Sequence, residues 1–429
     1  MKTTRVASIH ARQILDSRGR PTVEADVRLA GGAEGRGVSP SGASTGASEA
    51  HELRDRDSAW YGGRGVRKAV ANVEGEIAAA LQGRDALDQA GLDTLLREID
   101  GTPRLERLGA NAILAVSLAI CRAAAIAVGH PLHQRIAELA GGTPSLPMPM
   151  TNILSGGLHA GRSMDVQDFL VMPVGAPDYH TGLHWICRVR QMAADLMAGQ
   201  GLSTLLADEG GLSPGYAESR QALDLLSHAI EAAGLRLGED VAIALDVASS
   251  ALFRDGAYVF ERAGRRYRAE ELIVMIESWV RDYCILSVED GLAEEDWENW
   301  AILTERLGRI QLVGDDLFTT NPDRIRRGIG RGVANSVLVK LNQNGTLSGT
   351  LEAIALARQA GYSTVISARS GETEDDFIAH LAVGTGGAQI KIGSVRSSER
   401  LAKYNTLLRL ESQHTGLAYA GARGLSGRP

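Results

Sequence analysis

Six short apolar runs, each ending at or beside a charge, constrain this chain more than any other feature. Asp246 follows VAIAL, Glu289 follows CILSV and Asp315 follows IQLVG; Lys340 follows NSVLV, Arg369 comes after STVISA, and Lys391 lies inside AQIKIG. Runs of this length rich in Val, Ile and Leu read as strands buried on both faces, and the chain between them is long enough for one helix each. Strand and helix then alternate six times, which predicts a parallel barrel of the (β/α) kind. In such a barrel the strand C-termini form the catalytic face, so the charges at the run ends should meet at one site. Three hard carboxylate donors beside two lysines and an arginine suit a divalent ion holding an anionic substrate.

With 429 residues the chain exceeds one ordinary core, and two domains are expected, divided near AGGTPSLPMPM into residues 1–139 and 140–429. A net charge of −7 and the lack of a basic run argue against nucleic acid as a partner. Cys121, Cys187 and Cys284 are odd in number and lack metal-ligand spacing, so they read as reduced core thiols of a cytoplasmic protein. The N-terminal stretch MKTTRVASIHARQILDSRG has no apolar signal core. The most apolar stretch, Ala112 to Val128, contains Arg122 and reads as a buried helix, with no membrane partner implied.

From Thr22 to Leu29 the residues alternate apolar and polar, so the first domain opens as antiparallel sheet. PSGASTGASEA, from Pro40 to Ala50, is either a mobile linker or a loop whose amides and hydroxyls wrap an anion. Val66, Val70, Val73 and Ile77 follow helical spacing, and Leu105 to Val128 reads as further helix. His159 sits on the glycine-rich loop SGGLHAGRS between two strand-like runs. Asp208 and Glu209 precede two glycines, which is the pattern of a solvated turn unless the surroundings make Glu209 an acid. Glu294, Glu295 and Asp296 read as acids in a solvated first helical turn, and Trp297 and Trp300 as core residues.

A divalent ion on Asp246, Glu289 and Asp315 would spread the charge that develops when a carbon next to a carboxylate loses its proton. Lys340 would remove that proton, its pKa lowered by the cations around it.

Twelve motifs follow one another along the chain: DSRGRPTVE, SGASTG, LGANAILAVSLA, SGGLHAG, DEGG, LDVASS, SVEDGLAEEDWENW, VGDDLFTTNP, VKLNQNGTL, ARSGETEDDFIAHLAVG, QIKIG and SERLAKYNTLLR. By these the chain resembles the enolase family, the magnesium-dependent phosphopyruvate hydratases, over almost its whole length. A lysine or histidine base working with magnesium is the established pattern of enolase-superfamily sites, so the chemistry above matches a known scheme. The resemblance implies a small α+β N-terminal domain on an enolase-type modified (β/α)8 TIM-like barrel, often as a homodimer. It further implies magnesium (Mg) on Asp246, Glu289 and Asp315, with Ser44 reaching a second Mg, Lys340 as base and Glu209 as the acid for departing hydroxide. Arg369 and Ser370 match the phosphate-holding pair, Lys391 the lysine on the substrate carboxylate, and His159, Gln167 and Asp168 further pocket positions. The implied partner is a small phosphorylated or phosphonylated three-carbon carboxylate.

The chain also departs from the family pattern. Ala368 stands where enolases carry a histidine, Asp168 replaces a glutamate, Ser155 an asparagine, Ala207 a glycine, Gly291 a proline and Asn344 an apolar residue. Asp168 withdraws its carboxylate by roughly 1 to 1.5 Å relative to glutamate. Metal and base positions are kept while the leaving-group side is altered. The sequence therefore supports either an enolase-like lyase on a 2-phosphoglycerate or phosphoenolpyruvate type of substrate, or a paralogue such as the carboxyphosphonoenolpyruvate synthases of phosphonate biosynthesis. A non-catalytic binding role stands as the third reading.

Overall fold

The computed structural model describes residues 3–42 and 46–427. Its N-terminal part is a three-stranded antiparallel sheet, β1 (Val6–Leu15), β2 (Pro21–Leu29) and β3 (Glu34–Val38), in sequential order. In β2 the expected alternation holds where it matters, since Val23, Ala25, Val27 and Leu29 enter the core. Three helices used below are α1 (Gln89–Asp100), α2 (Ala110–Val128) and α3 (Leu132–Ala140). The helix expected from Leu105 begins only at Ala110, because Leu105 and Gly109 both have positive φ, at 57° and 97°, and break the turn.

α2 is long and apolar enough to cross a membrane despite Arg122, yet 78% of its apolar stretch is buried inside the protein. The reason is that it serves two cores. Ala112, Ala115, Ala119 and Ala123 pack under the sheet, whereas Leu114, Leu118 and Cys121 join the barrel's outer core. Small residues on the sheet side meet Gly35 and Gly37 of β3. A Cβ at either glycine would overlap the carbonyl oxygen of Ala119 or Ala115, so the contact is backbone against backbone.

The second part is a closed eight-stranded barrel: β4 (Met148–Ser155), β5 (Asp168–Met172), β6 (Ala242–Asp246), β7 (Ile285–Glu289), β8 (Gln311–Gly314), β9 (Ser336–Val339), β10 (Ser363–Ser367) and β11 (Gln389–Gly393). Its outer helices are α4 (Tyr179–Gly199), α5 (Ser219–Ala232), α6 (Ala269–Asp282), α7 (Trp297–Leu307), α8 (Pro322–Arg331), α9 (Leu347–Gln359), α10 (Phe377–Gly384) and α11 (Ser398–Gln413). The modified barrel is present, but it is not wholly parallel. β5 runs antiparallel to both β4 and β6, because the short loop holding His159 turns β4 back on itself.

Between β6 and α6 lies a small antiparallel sheet, Phe253–Arg254, Ala257–Phe260 and Arg265–Tyr267, which the strand-helix count omits. Its signal was the Asp255-Gly256 pair, both at positive φ as a tight hairpin needs. Trp300 and Trp297 are core residues as expected. The thiols differ from expectation: Cys121 is buried, but Cys187 and Cys284 are exposed.

The close packing of β3 on α2 predicts a large penalty for a single methyl. Gly37→Ala should destabilise the protein by about 2–3 kcal/mol, in the range of core overpacking. Denaturant unfolding measures it; an unchanged midpoint would show that α2 can retreat.

Candidate active site

Strand parity decides which charges face the barrel axis. In β6, Ile243 and Leu245 point outward into the helix-facing core while Ala242 and Ala244 line the interior, so Asp246 points inward as well. The same step of two carries Leu338 to Lys340, Val313 to Asp315 and Gln389 to Lys391. Asp168, Asp246 and Glu289 are register partners on β5, β6 and β7, and therefore lie at one level. The sequence expectation that these run-end charges converge is met.

Two lysines sit among the acids. Lys391 Nζ donates to Asp246 Oδ2 at 2.8 Å and to Glu289 Oε2 at 2.7 Å. Lys340 Nζ lies 2.5 Å from Asp315 Oδ2. Among the described residues, the expected triad Asp246, Glu289 and Asp315 is not one of the sets whose ligand atoms all lie within 4.8 Å of one another. The sets that are so placed are His159, Asp168, Glu209 and Asp290, Asp315, Asp316. Lys391 separates the first two members of the triad, and Lys340 occupies the third.

Asp290 belongs to its set for a structural reason. It has φ 42° and accepts hydrogen bonds from the N–H groups of Asp315 at 3.0 Å and Asp316 at 2.8 Å, which locks the turn after β8. The Asp246, Glu289, Asp315 set still fits a hard divalent cation. All three are buried, and among the described residues Glu289 Oε1 has no hydrogen-bond partner. Burial first, and then the Asp246 carboxylate, push the Glu289 carboxyl well above its usual range, which is the strain a cation relieves.

Lys340 differs from expectation in one respect. Burial alone would lower its pKa, but the Asp315 carboxylate outweighs it and the ammonium stands above its ordinary value. A divalent ion drawing on Asp315 would remove that support. Burial likewise pushes Lys391 down, and Asp246 and Glu289 lift it well above the usual lysine range.

On the opposite side of the mouth, His159 Nδ1 lies 2.9 Å from Asp168 Oδ2, and its Nε2 lies 3.6 Å from Glu209 Oε1. Asp168 Oδ1 accepts from Asn152 Nδ2 at 2.5 Å and Ser155 Oγ at 3.2 Å. Gln167 Nε2 donates to Asp246 at 3.2 Å. Burial lowers the His159 imidazolium, but Glu209 and then Asp168 outweigh it and raise it to about 9. Glu209, pushed up by burial, is held below its ordinary range chiefly by His159. The proton of this pair therefore rests on His159 and not on Glu209, which qualifies the expectation of a glutamic acid donor. Asp208, its neighbour, is exposed.

Arg369 and Ser370 are reached by groups that sequence reasoning passed over. Glu49, in the loop after β3, pairs with Arg369 at 2.9 Å, and Asn342 accepts from the same guanidinium. Arg18 Nη1 donates to Ser370 Oγ at 3.2 Å. Gln343 Nε2 bonds both Glu49 and Asp315, at 3.1 and 2.8 Å, joining the two halves of the site. Ala368 brings no polar side chain; its N–H donates to the Lys391 carbonyl. Ser44 lies outside the described residues.

A histidine whose folded pKa is raised to about 9 from an ordinary 6.5 stabilises the fold fully below about 6.5, and that contribution is lost as pH rises through about 9. The melting-temperature advantage of wild type over His159→Asn should therefore be greatest near pH 6 and shrink towards pH 9.5. A difference that stays constant over this interval would show that the two acids do not hold the imidazolium.

Comparison with known families agrees with this architecture. Residues 6–136 match the family described as "Enolase, N-terminal domain" and residues 143–426 the one described as "Enolase, C-terminal TIM barrel domain". Family enzymes of this kind take a divalent metal and small phosphorylated carboxylates, and an acidic cluster suited to such a metal stands at the strand ends described above. With these two matches spanning the sheet, the helices and the barrel, the chain belongs to the enolase family.

Proposed function

We propose that the protein is a magnesium-dependent lyase that removes a proton next to a carboxylate and then expels a leaving group, on a phosphorylated or phosphonylated three-carbon carboxylate. The observation that carries this reading is the pairing of Asp246 and Glu289 with Lys391, and of Asp315 with Lys340, at the strand ends. Residues 1–139 and 140–429 are taken as the two domains of this enzyme, and Asp246, Glu289 and Asp315 as the groups that would hold Mg, which supplies charge stabilisation for the enolate.

In this scheme Lys391 and Arg369 are the cations for the carboxylate and the phosphoryl group, with Ser370 beside the latter. Lys340 gives up Asp315, becomes free to deprotonate and takes the proton from carbon. The leaving group receives its proton from the His159–Glu209 pair, where His159 stores it. Gln167 keeps Asp246 oriented, and Glu49 keeps Arg369 extended until an anion replaces it.

Two substrates fit this scheme, and the leaving-group side favours the second over 2-phosphoglycerate. Ala368 carries no imidazole, and both oxygens of Asp168 are committed to Asn152, Ser155 and His159. A paralogue of the carboxyphosphonoenolpyruvate synthase type, with a bulkier group on the three-carbon unit, uses that altered side without losing the enolate machinery.

Lys340→Ala should abolish exchange of the carbon-bound proton in deuterated water with a 2-phosphoglycerate-like ligand and Mg. His159→Asn should leave exchange in place and slow elimination about a hundredfold or more, as for a lost general acid. Exchange that persists without Lys340 would place the base elsewhere.

Phosphoenolpyruvate formation from 2-phosphoglycerate should be slow in the wild type, well below the ~10 per second typical of enzymes. It should rise in Ala368→His and rise again when Asp168→Glu is added. High wild-type turnover would instead make the protein an ordinary enolase, and no turnover in any variant would favour a binding role.

A further inference from the structure

A second cleft, of about 280 Å³, lies between the N-terminal part and the loops after β8 and β9. Among the described residues, none of those assigned above to metal, base or phosphate lines it. Ser48, Ala50 and Gln343 line it on one side, and Gln343 also bonds Asp315 of the active site. Three guanidinium groups face it: Arg97 from α1, Arg104 from the following loop and Arg326 from α8.

Arg97 is the unusual one. It is half-buried, and its Nη2 donates only to neutral acceptors, the carbonyl and side-chain oxygens of Asn344 at 2.9 and 2.5 Å and Thr346 Oγ1 at 3.1 Å. Among the described residues no carboxylate pairs with it. Asp93, one turn earlier on α1, and Glu352 stabilise its charge from a distance, but Asp93 hydrogen-bonds the Gln89 amide and the Ser348 N–H and Glu352 pairs with Arg326. A half-buried guanidinium whose donors meet only neutral acceptors, on the wall of a polar cleft, can still take a charged one from outside.

The other two arginines are held loosely. Arg326 pairs with Asp323 at 2.7 Å and Glu352 at 3.0 Å, and Arg104 with Glu106 at 3.3 Å, all exposed pairs of the kind that exchange readily for a better acceptor. Asp323 and Glu352 also line the cleft and offset part of its charge. The first turn of α8 opens onto it, but Asn321 already accepts from the N–H groups of Asp323 and Arg324, so the helix contributes field and not donors.

We infer that this interdomain cleft is a binding site for a small phosphate-type oxyanion, held between Arg97, Arg104 and Arg326 and distinct from the active site. Guanidinium forks from both domains match the oxygens of such an anion. The cleft volume suits a phosphate or a short phosphorylated metabolite.

Titration calorimetry of the full-length protein with inorganic phosphate at low ionic strength tests this. The expected result is a saturable binding event that Arg326→Gln weakens about tenfold, the effect of losing one charge-assisted hydrogen bond. Arg97→Lys should weaken it similarly, and Arg369→Lys should leave it unaltered. Arg326 is exposed enough for its replacement to leave the fold intact. The inference is overturned if every phosphate bound is lost with Arg369→Lys, or if Arg326→Gln and Arg97→Lys alter no binding event.

Discussion

Five carboxylates buried at one end of a barrel are the condition to which the remainder of this molecule answers. Asp168, Glu209, Asp246, Glu289 and Asp315 are each at most 8% exposed. Carboxylates this close cannot all stay ionised out of water unless cations are brought to them. Lys340 and Lys391 supply that charge from the strand ends and His159 from the loop between β4 and β5. Hydrogen bonding finishes the work through Asn152, Ser155, Gln167 and Gln343. An array so balanced is poised, because an arriving cation or anion releases a partner already held nearby.

The N-terminal part is a component of that balance and not an appendage. Its first turn places Arg18 on Ser370, and the backbone of Ser41 pairs in both directions with Gly371. The loop after β3 brings Glu49 to Arg369. Those positions follow from how closely β3 lies on α2, which only glycine at 35 and 37 permits. Because α2 is also part of the barrel's outer core, the sheet and the catalytic mouth are set by one helix. Buried Arg400 and Lys403 complete the arrangement by holding the loop from Arg369 to Thr373 through its carbonyls.

Much of this was legible from residue order. Apolar runs with charged ends located the barrel strands after β5 within a residue or two, because a strand buried on both faces leaves an unbroken apolar signature. Strand direction was not legible, since the run forming β5 reads the same either way and only the length of the loop before it hinted at a hairpin. Nor were the roles of Arg18 and Glu49. An acid in a serine- and glycine-rich loop looks like an ordinary solvated charge until the fold carries it against a barrel arginine. Asn344 is a similar case: its amide serves Arg97 across the domain junction, a contact without local pattern.

The substitutions at 155 and 168 make sense only together. Ser155 and Asp168 are direct register partners on β4 and β5, so their side chains share one level. A shorter acid at 168 retreats towards its own strand, where the small Ser155 hydroxyl can meet it while Asn152 bonds both. An asparagine at 155 would contest that space, since the Ser155 hydroxyl already occupies the room that a Cβ at Gly211 would need. The second Asp168 oxygen then takes His159 at 2.9 Å and fixes that imidazole beside Glu209. The carboxylate that moved back from the reacting side is thus converted into an anchor for the histidine that remains, at the same mouth where Ala368 supplies none.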